Sequence, residues 1–146
     1  HSDMWLDFAE GSGADREATK SFDPIPAVKN LISQFRNVSA KGNTIEAIAA
    51  FYAYESQVPR IADEKGNWLK NLYGANGKTC RYFSVHATAD IQHAHVWRNL
   101  IGEQIGAQET EAEKALESIE STAKALWNVL DGIEEQRLGN KTLSHC

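Results

Sequence analysis

An all-α fold is what this sequence predicts, and three observations carry the prediction. Apolar residues recur at spacings of three and four in several segments. No segment shows the alternation of a half-buried strand. Clusters of glycine, asparagine and proline separate the periodic segments where helices would have to stop. The chain has 146 residues, a normal length for one domain, with 42 % apolar residues, 24 % charged residues and three prolines. That is the profile of a soluble globular protein with a core, not of a disordered one. A single helical domain over 1–146 is expected, with a flexible tail over 140–146.

The elements follow in order. Trp5, Leu6, Phe8 and Ala9 predict a short first helix, stopped by Gly11-Ser-Gly13. Asp15 is placed to cap a brief turn after it. Asp23-Pro24-Ile25-Pro26 starts the next helix, since proline at a helix start gives up an N–H that would have had no partner there. Ala27, Val28, Leu31, Ile32, Phe35 and Val38 form its apolar face, and Lys41-Gly42-Asn43 ends it. Asn43 with Glu46 three residues on predicts a cap with its returning carboxylate. Ile45, Ile48, Ala49 and Tyr52 give the buried face that follows. Pro59 lies inside this pattern, so a kink is expected there, with the helix continuing toward Trp68, Leu69 and Leu72. Gly74-Ala-Asn76-Gly77 is the next turn. A long helix follows from about Lys78 to Ile105, broken near Gly106. Thr110 to Glu113 reads as a capping box opening a last helix with apolar residues at 112, 115, 116, 119, 123, 126, 130 and 133. Gly139 is expected to stop it.

Several function classes fall away on composition. Net charge is -5 with no basic cluster, which argues against nucleic acid. No apolar run approaches the roughly 18 residues that would span a membrane, and no signal peptide is visible. Cys80 and Cys146 make neither a metal-finger spacing nor a disulfide framework, so both are expected as free thiols, which fits a bacterial cytoplasm. The chain opens on His1 rather than methionine, as a processed or partial chain would.

The clearest chemistry lies on the long helix before Gly106. At roughly 100° per residue, His86, Asp90 and His93 project from one side over two turns. Phe83, Trp97, Leu100 and Ile101 share their direction, so the three polar groups interrupt a buried stripe. A carboxylate buried between imidazoles is expensive without a partner. A bound cation would resolve this, holding Asp90 ionised and the histidines neutral. The Asp90-x-x-His93 pair is also of the kind found in di-metal carboxylate bundles. Imidazole and carboxylate suit iron, manganese or zinc, and no cysteine is near enough for a thiolate site. The plainer alternative is a His–Asp hydrogen-bond network that only joins helices; three such residues on one apolar stripe favour the metal. His95 reads as an ordinary surface histidine. Glu55 extends the buried series 45, 48, 52 just before Pro59, and a helix break there makes room for a site.

Phe51-Tyr-Ala-Tyr54-Glu55-Ser-Gln57-Val-Pro59, then Lys65, then Tyr82-Phe83-x-x-His86-x-x-x-Asp90-x-x-His93-x-x-x-Trp97, resembles the heme-oxygenase-like diiron oxidases. The branch it most resembles is the one containing the chlamydial protein associating with death domains. Thiaminase II (TenA) and the pyrroloquinoline-quinone biosynthesis C proteins are more distant relatives by fold. The resemblance implies a heme-oxygenase-like (TenA-like) helical bundle lacking its first helices. It implies iron, as two ions or an iron–manganese pair, with no organic cofactor. Glu55, His86, Asp90 and His93 match ligands of the family, and His1 looks like the histidine of its first ligand helix. The carboxylate expected two turns upstream of that histidine lies before the first residue given. An incomplete bundle would expose apolar faces, so a homodimer is expected.

The function implied is O₂ activation by a non-heme dinuclear-iron oxidase acting on a small-molecule or self-derived substrate, with a link to para-aminobenzoate for folate. Lys65 lies about three turns beyond Glu55 and matches a lysine that some relatives carry near the metals; a surface lysine is the equal alternative. Tyr54 and Tyr52 flank the site helix as redox-active candidates or as packed tyrosines. The competing classes are a TenA-like aminopyrimidine hydrolase, which would need a cysteine such as Cys80, and a non-catalytic helical binding protein. Metal content separates the first class from both.

Overall fold

The computed structural model describes residues 1–106 and 109–143, and among them seven helices and no strand are found. These are α1 (Ser2–Gly11), α2 (Arg16–Ser21), α3 (Pro26–Lys41), α4 (Thr44–Glu55), α5 (Val58–Tyr73), α6 (Arg81–Ile105) and α7 (Glu109–Leu143). No helix among the described residues is long and apolar enough to cross a membrane. The all-α prediction stands, and most boundaries fall where local chemistry placed them. Asp15 caps α2 by accepting from the Ala18 amide at 2.7 Å. The Asn43 side chain accepts from the Glu46 amide at 2.9 Å while the Glu46 carboxylate accepts from the Asn43 amide at 2.7 Å, so both halves of the capping box are made. Gly74 takes the left-handed conformation (φ 63°) that lets α5 end.

Two boundaries differ from expectation. The helix at Pro59 breaks rather than kinks: α4 stops at Glu55 and α5 restarts at Val58, with the proline in its first turn. Residue 59 would have donated its amide to the carbonyl of Glu55. Proline has no such donor, and its ring collides with that carbonyl, so the ladder ends four residues ahead of it. Gly139 does not end α7, which runs on to Leu143. A glycine stops a helix when it turns left-handed, and the left-handed glycines among the described residues are Gly13, Gly74 and Gly106. The expected tail at 140–146 thus begins on helix, and its last three residues, Cys146 included, lie outside the described residues. Cys80 is a free, buried thiol.

The chain divides into two compact units. The first comprises His1–Asp23 and Glu55–Val96, hence α1, α2, α5 and the first part of α6. Its core is Ala62, Tyr82 and Phe83, with Met4, Phe8, Val58, Leu69 and Ala87 packed around them. Aromatic rings dominate: Trp5 lies 4.1 Å from Tyr82 and Phe8 5.2 Å from Phe83, centroid to centroid. The second unit comprises Pro24–Tyr54 and Trp97–Cys146, hence α3, nearly all of α4, the end of α6 and α7. Ile45, Ala49 and Ala115 form its core, flanked by Ile101, Ile105 and Ile119. The fully buried line of α4 is Ile45, Ala49, Ala50 and Ala53, small side chains that let helices approach closely.

Candidate metal centre

The site residues lie in the first unit. α6 supplies two buried side chains one turn apart, His86 (5 % exposed) and Asp90 (3 %). α4 supplies Glu55 from its last residue, with a side chain 20 % exposed. Asp90 Oδ1 lies 2.9 Å from Nδ1 of His93, and Oε2 of Glu55 lies 3.6 Å from the same nitrogen. Donor atoms of these three residues all fall within 4.8 Å of one another, the one such group found among the described residues. His93 itself is exposed, its side chain retaining 53 % of its surface, so the expectation that all three α6 residues are buried needs correction. The direction of His93 is right but the cover runs out. Tyr82, Phe83, His86 and Asp90 are buried on α6, whereas Ile91, Gln92 and His93 are exposed.

His86 does not join that group. Its Nδ1–H donates to the Tyr82 carbonyl at 2.7 Å, because a carbonyl can only accept. This leaves Nε2 as the nitrogen with the lone pair, the tautomer a metal-binding imidazole needs. The ring stacks on Tyr82 at 4.0 Å, and His1 meets its edge at 4.9 Å. The donors therefore fall into two sets on neighbouring turns of α6: Glu55, Asp90 and His93, then His86 with His1. The role of Tyr82 was missed in the sequence. Its signal was the four-residue spacing to His86, which puts its carbonyl within reach of the ring.

Lys65 is exposed on α5 and makes none of the contacts that join Glu55, Asp90 and His93. Tyr54 is half-buried in the second unit, edge-on to Phe35 at 6.2 Å, and Tyr52 is half-buried. The Cys80 thiol is buried 4.0 Å from the Ala75 carbonyl and belongs to neither donor set. His95 is exposed, as expected.

The donors themselves test whether a cation fits. Two carboxylates, those of Glu55 and Asp90, converge on one imidazole nitrogen. Asp90 is buried, where an anion needs a counter-charge. Oxygen and imidazole donors with an oriented histidine beside them match iron, manganese or zinc.

The described residues form an all-α protein with carboxylate and imidazole side chains clustered as a metal ion would need them. The chain matches the family of iron-containing redox enzymes over residues 1–127 and belongs to that family, which is heme-oxygenase-like in fold. Iron is the metal this membership implies. The chain is 36 % identical over 141 residues to the 4-aminobenzoate synthase of Nitrosomonas europaea, covering 96 % of this chain and 57 % of that protein. It is 32 % identical over 132 residues to the 4-aminobenzoate synthase of Chlamydia trachomatis, covering 90 % of this chain and 56 % of that protein. It is 22 % identical over 113 residues to the 4-chloro-allylglycine synthase of Streptantibioticus cattleyicolor, or 77 % of this chain and 44 % of that protein. The chain thus spans a little over half the length of the 4-aminobenzoate synthases it matches.

Proposed function

We propose that this chain carries the metal-binding part of a non-heme dinuclear-iron oxidase that uses O₂. The observation that carries the reading is the convergence of Glu55 and the buried Asp90 on His93, one turn beyond an imidazole whose Nε2 is kept free. In this reading one ion is held by Glu55, Asp90 and His93 and a second by His86 and His1; iron–manganese is the alternative pair. Iron in such a site supplies the redox chemistry that activates O₂. The protein supplies the rest. Tyr82 fixes the tautomer of His86, Asp90 and Glu55 place negative charge where cations sit, and burial of Asp90 keeps water from competing for it.

The product class we propose is an arylamine of the 4-aminobenzoate kind, on the strength of the two 4-aminobenzoate synthases matched at 32 % and 36 % identity. The substrate is then a small molecule or a side chain of the protein itself. Lys65 and Tyr54 are the side chains we assign to that chemistry, and no organic cofactor is needed. A homodimer accords with the exposed apolar residues, among them Trp68 and Leu72 in the first unit and Leu116 and Trp127 in the second.

The test is metal stoichiometry after anaerobic loading with ferrous iron. Two irons per chain, lost in His86→Ala and in Asp90→Ala, with an optical change on adding O₂, is the expected result. No retained metal in the unsubstituted chain would end this reading and leave the cluster as a structural hydrogen-bond network.

A further inference from the structure

Helix α1 has two chemically opposite faces. Asp3, Asp7 and Glu10 repeat at spacings of four and three, which places them on one side at roughly 100° per residue. His1, Met4, Trp5 and Phe8 lie on the other. The second face meets α6, with Trp5 and Phe8 against Tyr82 and Phe83 and His1 against His86. The acidic face is gripped from behind. Arg16, in the first turn of α2, places Nη1 at 3.1 Å from Asp7 and 2.9 Å from Glu10, and Nη2 at 3.2 Å from Asp3. One guanidinium thereby spans about two turns of α1. Lys78, just before α6, reaches Asp7 and Glu10 at 3.3 Å each. At the far end of α1 the backbone of Gly11 lies so close to Thr79 that an added Cβ would stand 2.0 Å from its hydroxyl oxygen.

We propose that Arg16 is a positioning residue for the metal centre: by fixing Asp7 and Glu10, the two carboxylates that Lys78 grips from just before α6, it keeps α1 seated on α6 and so holds His1 against His86. The inference rests on the reading of His1 as a ligand. Arginine suits the task because its planar fork reaches several carboxylates from one anchored side chain, which a lysine cannot do. Isolated surface ion pairs contribute little. This one is a network, with the Asp7 side chain only 13 % and that of Arg16 26 % exposed, so its members hold one another in place.

Two measurements on the full 146-residue chain test this. In the metal-free protein, proton NMR reads the His1 ring through its contact with His86. Arg16→Ala should return the His1 ring resonances to free-histidine positions and leave those of His86 in place. Raising sodium chloride from about 0.05 to about 0.5 M should produce part of the same change in the unsubstituted protein, so the test does not depend on the variant folding. Second, cobalt(II) is titrated by its visible absorption. Arg16→Ala should weaken cobalt binding on the order of tenfold, Arg16→Lys less, and Arg16→Ala should add almost nothing once His1→Ala is present. An unchanged His1–His86 contact in Arg16→Ala and at high salt overturns the proposal. So does an undiminished effect of Arg16→Ala in the His1→Ala background. Absence of cobalt uptake by the unsubstituted chain sinks the metal reading instead, while the NMR measurement still decides whether Arg16 places His1.

Discussion

The two units are built from different materials. The second packs isoleucine and alanine, and several of its polar groups serve the backbone: the buried Ser118 donates to the Glu46 carbonyl at 2.6 Å, and the half-buried Asn43 and Glu46 cap α4. The first packs aromatic rings, buries a carboxylate and an imidazole, and sets two cations against three carboxylates. In the second unit, shape carries stability. In the first, a buried carboxylate and clustered donors are costly until something binds them. The comparison predicts that the units answer differently to substitution.

The largest stability effect should come from Ile45→Ala in the second unit. Emptying a side chain only 2 % exposed should cost about 2–5 kcal/mol in denaturant unfolding. Iron stoichiometry of the protein that remains folded should be unchanged; joint loss of both would erase the distinction drawn here. Asp90→Asn in the first unit should show the reverse. It keeps the shape and removes the buried charge, so metal affinity should fall on the order of a hundredfold while metal-free unfolding shifts little or toward greater stability. A metal-free protein strongly destabilised by Asp90→Asn would make the cluster a structural network.

Smaller effects sharpen the contrast. Asn43→Ala should cost about 1 kcal/mol by removing half of the capping box of α4. Thr122 is fully buried and its hydroxyl has no hydrogen-bond partner, so Thr122→Val should stabilise by about 1 kcal/mol. A loss on thermal unfolding would mean the hydroxyl does contribute. The smallest effect is that of pH. Burial pushes the Asp7 carboxyl up, but its hydrogen bonds and charge pairing with Arg16 and Lys78 outweigh this and hold it below the ordinary carboxylate range. A lowered folded value means the contribution is complete above the unfolded value of about 4 and disappears as pH falls through the folded value. Acid titration should therefore loosen α1 before it disturbs α3 and α7, a sequence that NMR of the His1 and Trp127 rings can follow. Simultaneous loss would remove Asp7 from the account.

What the sequence showed was what is decided locally. The caps at Asp15 and Asn43, the proline start of α3 and the left-handed Gly74 each depend on neighbours a few residues away, and each was legible. So was the direction of His86, Asp90 and His93, because periodicity fixes where a side chain points. It does not fix what stands opposite, which is why His93 was read as buried and is exposed. Gly139 was misread because a glycine within a long helix costs only about 1 kcal/mol, too little to stop it. The grip of Arg16 and Lys78 on α1 was invisible, since nothing in a run of charges says which of them meet; Lys78 and Glu10 are 68 residues apart.

The broken helix at Pro59 has a consequence for how this chain can vary. The ring acts at a fixed distance, four residues back, so the proline serves as a ruler for the end of α4. Glu55 stands at a helix terminus because of the proline four residues on. Inserting one residue between 55 and 59 would move the end of the helix one residue beyond the glutamate, and deleting one would end it one residue before. Sequence drift that leaves Glu55, Asp90 and His93 in place would in this way change where α4 ends, and comparing those three residues alone would not reveal it.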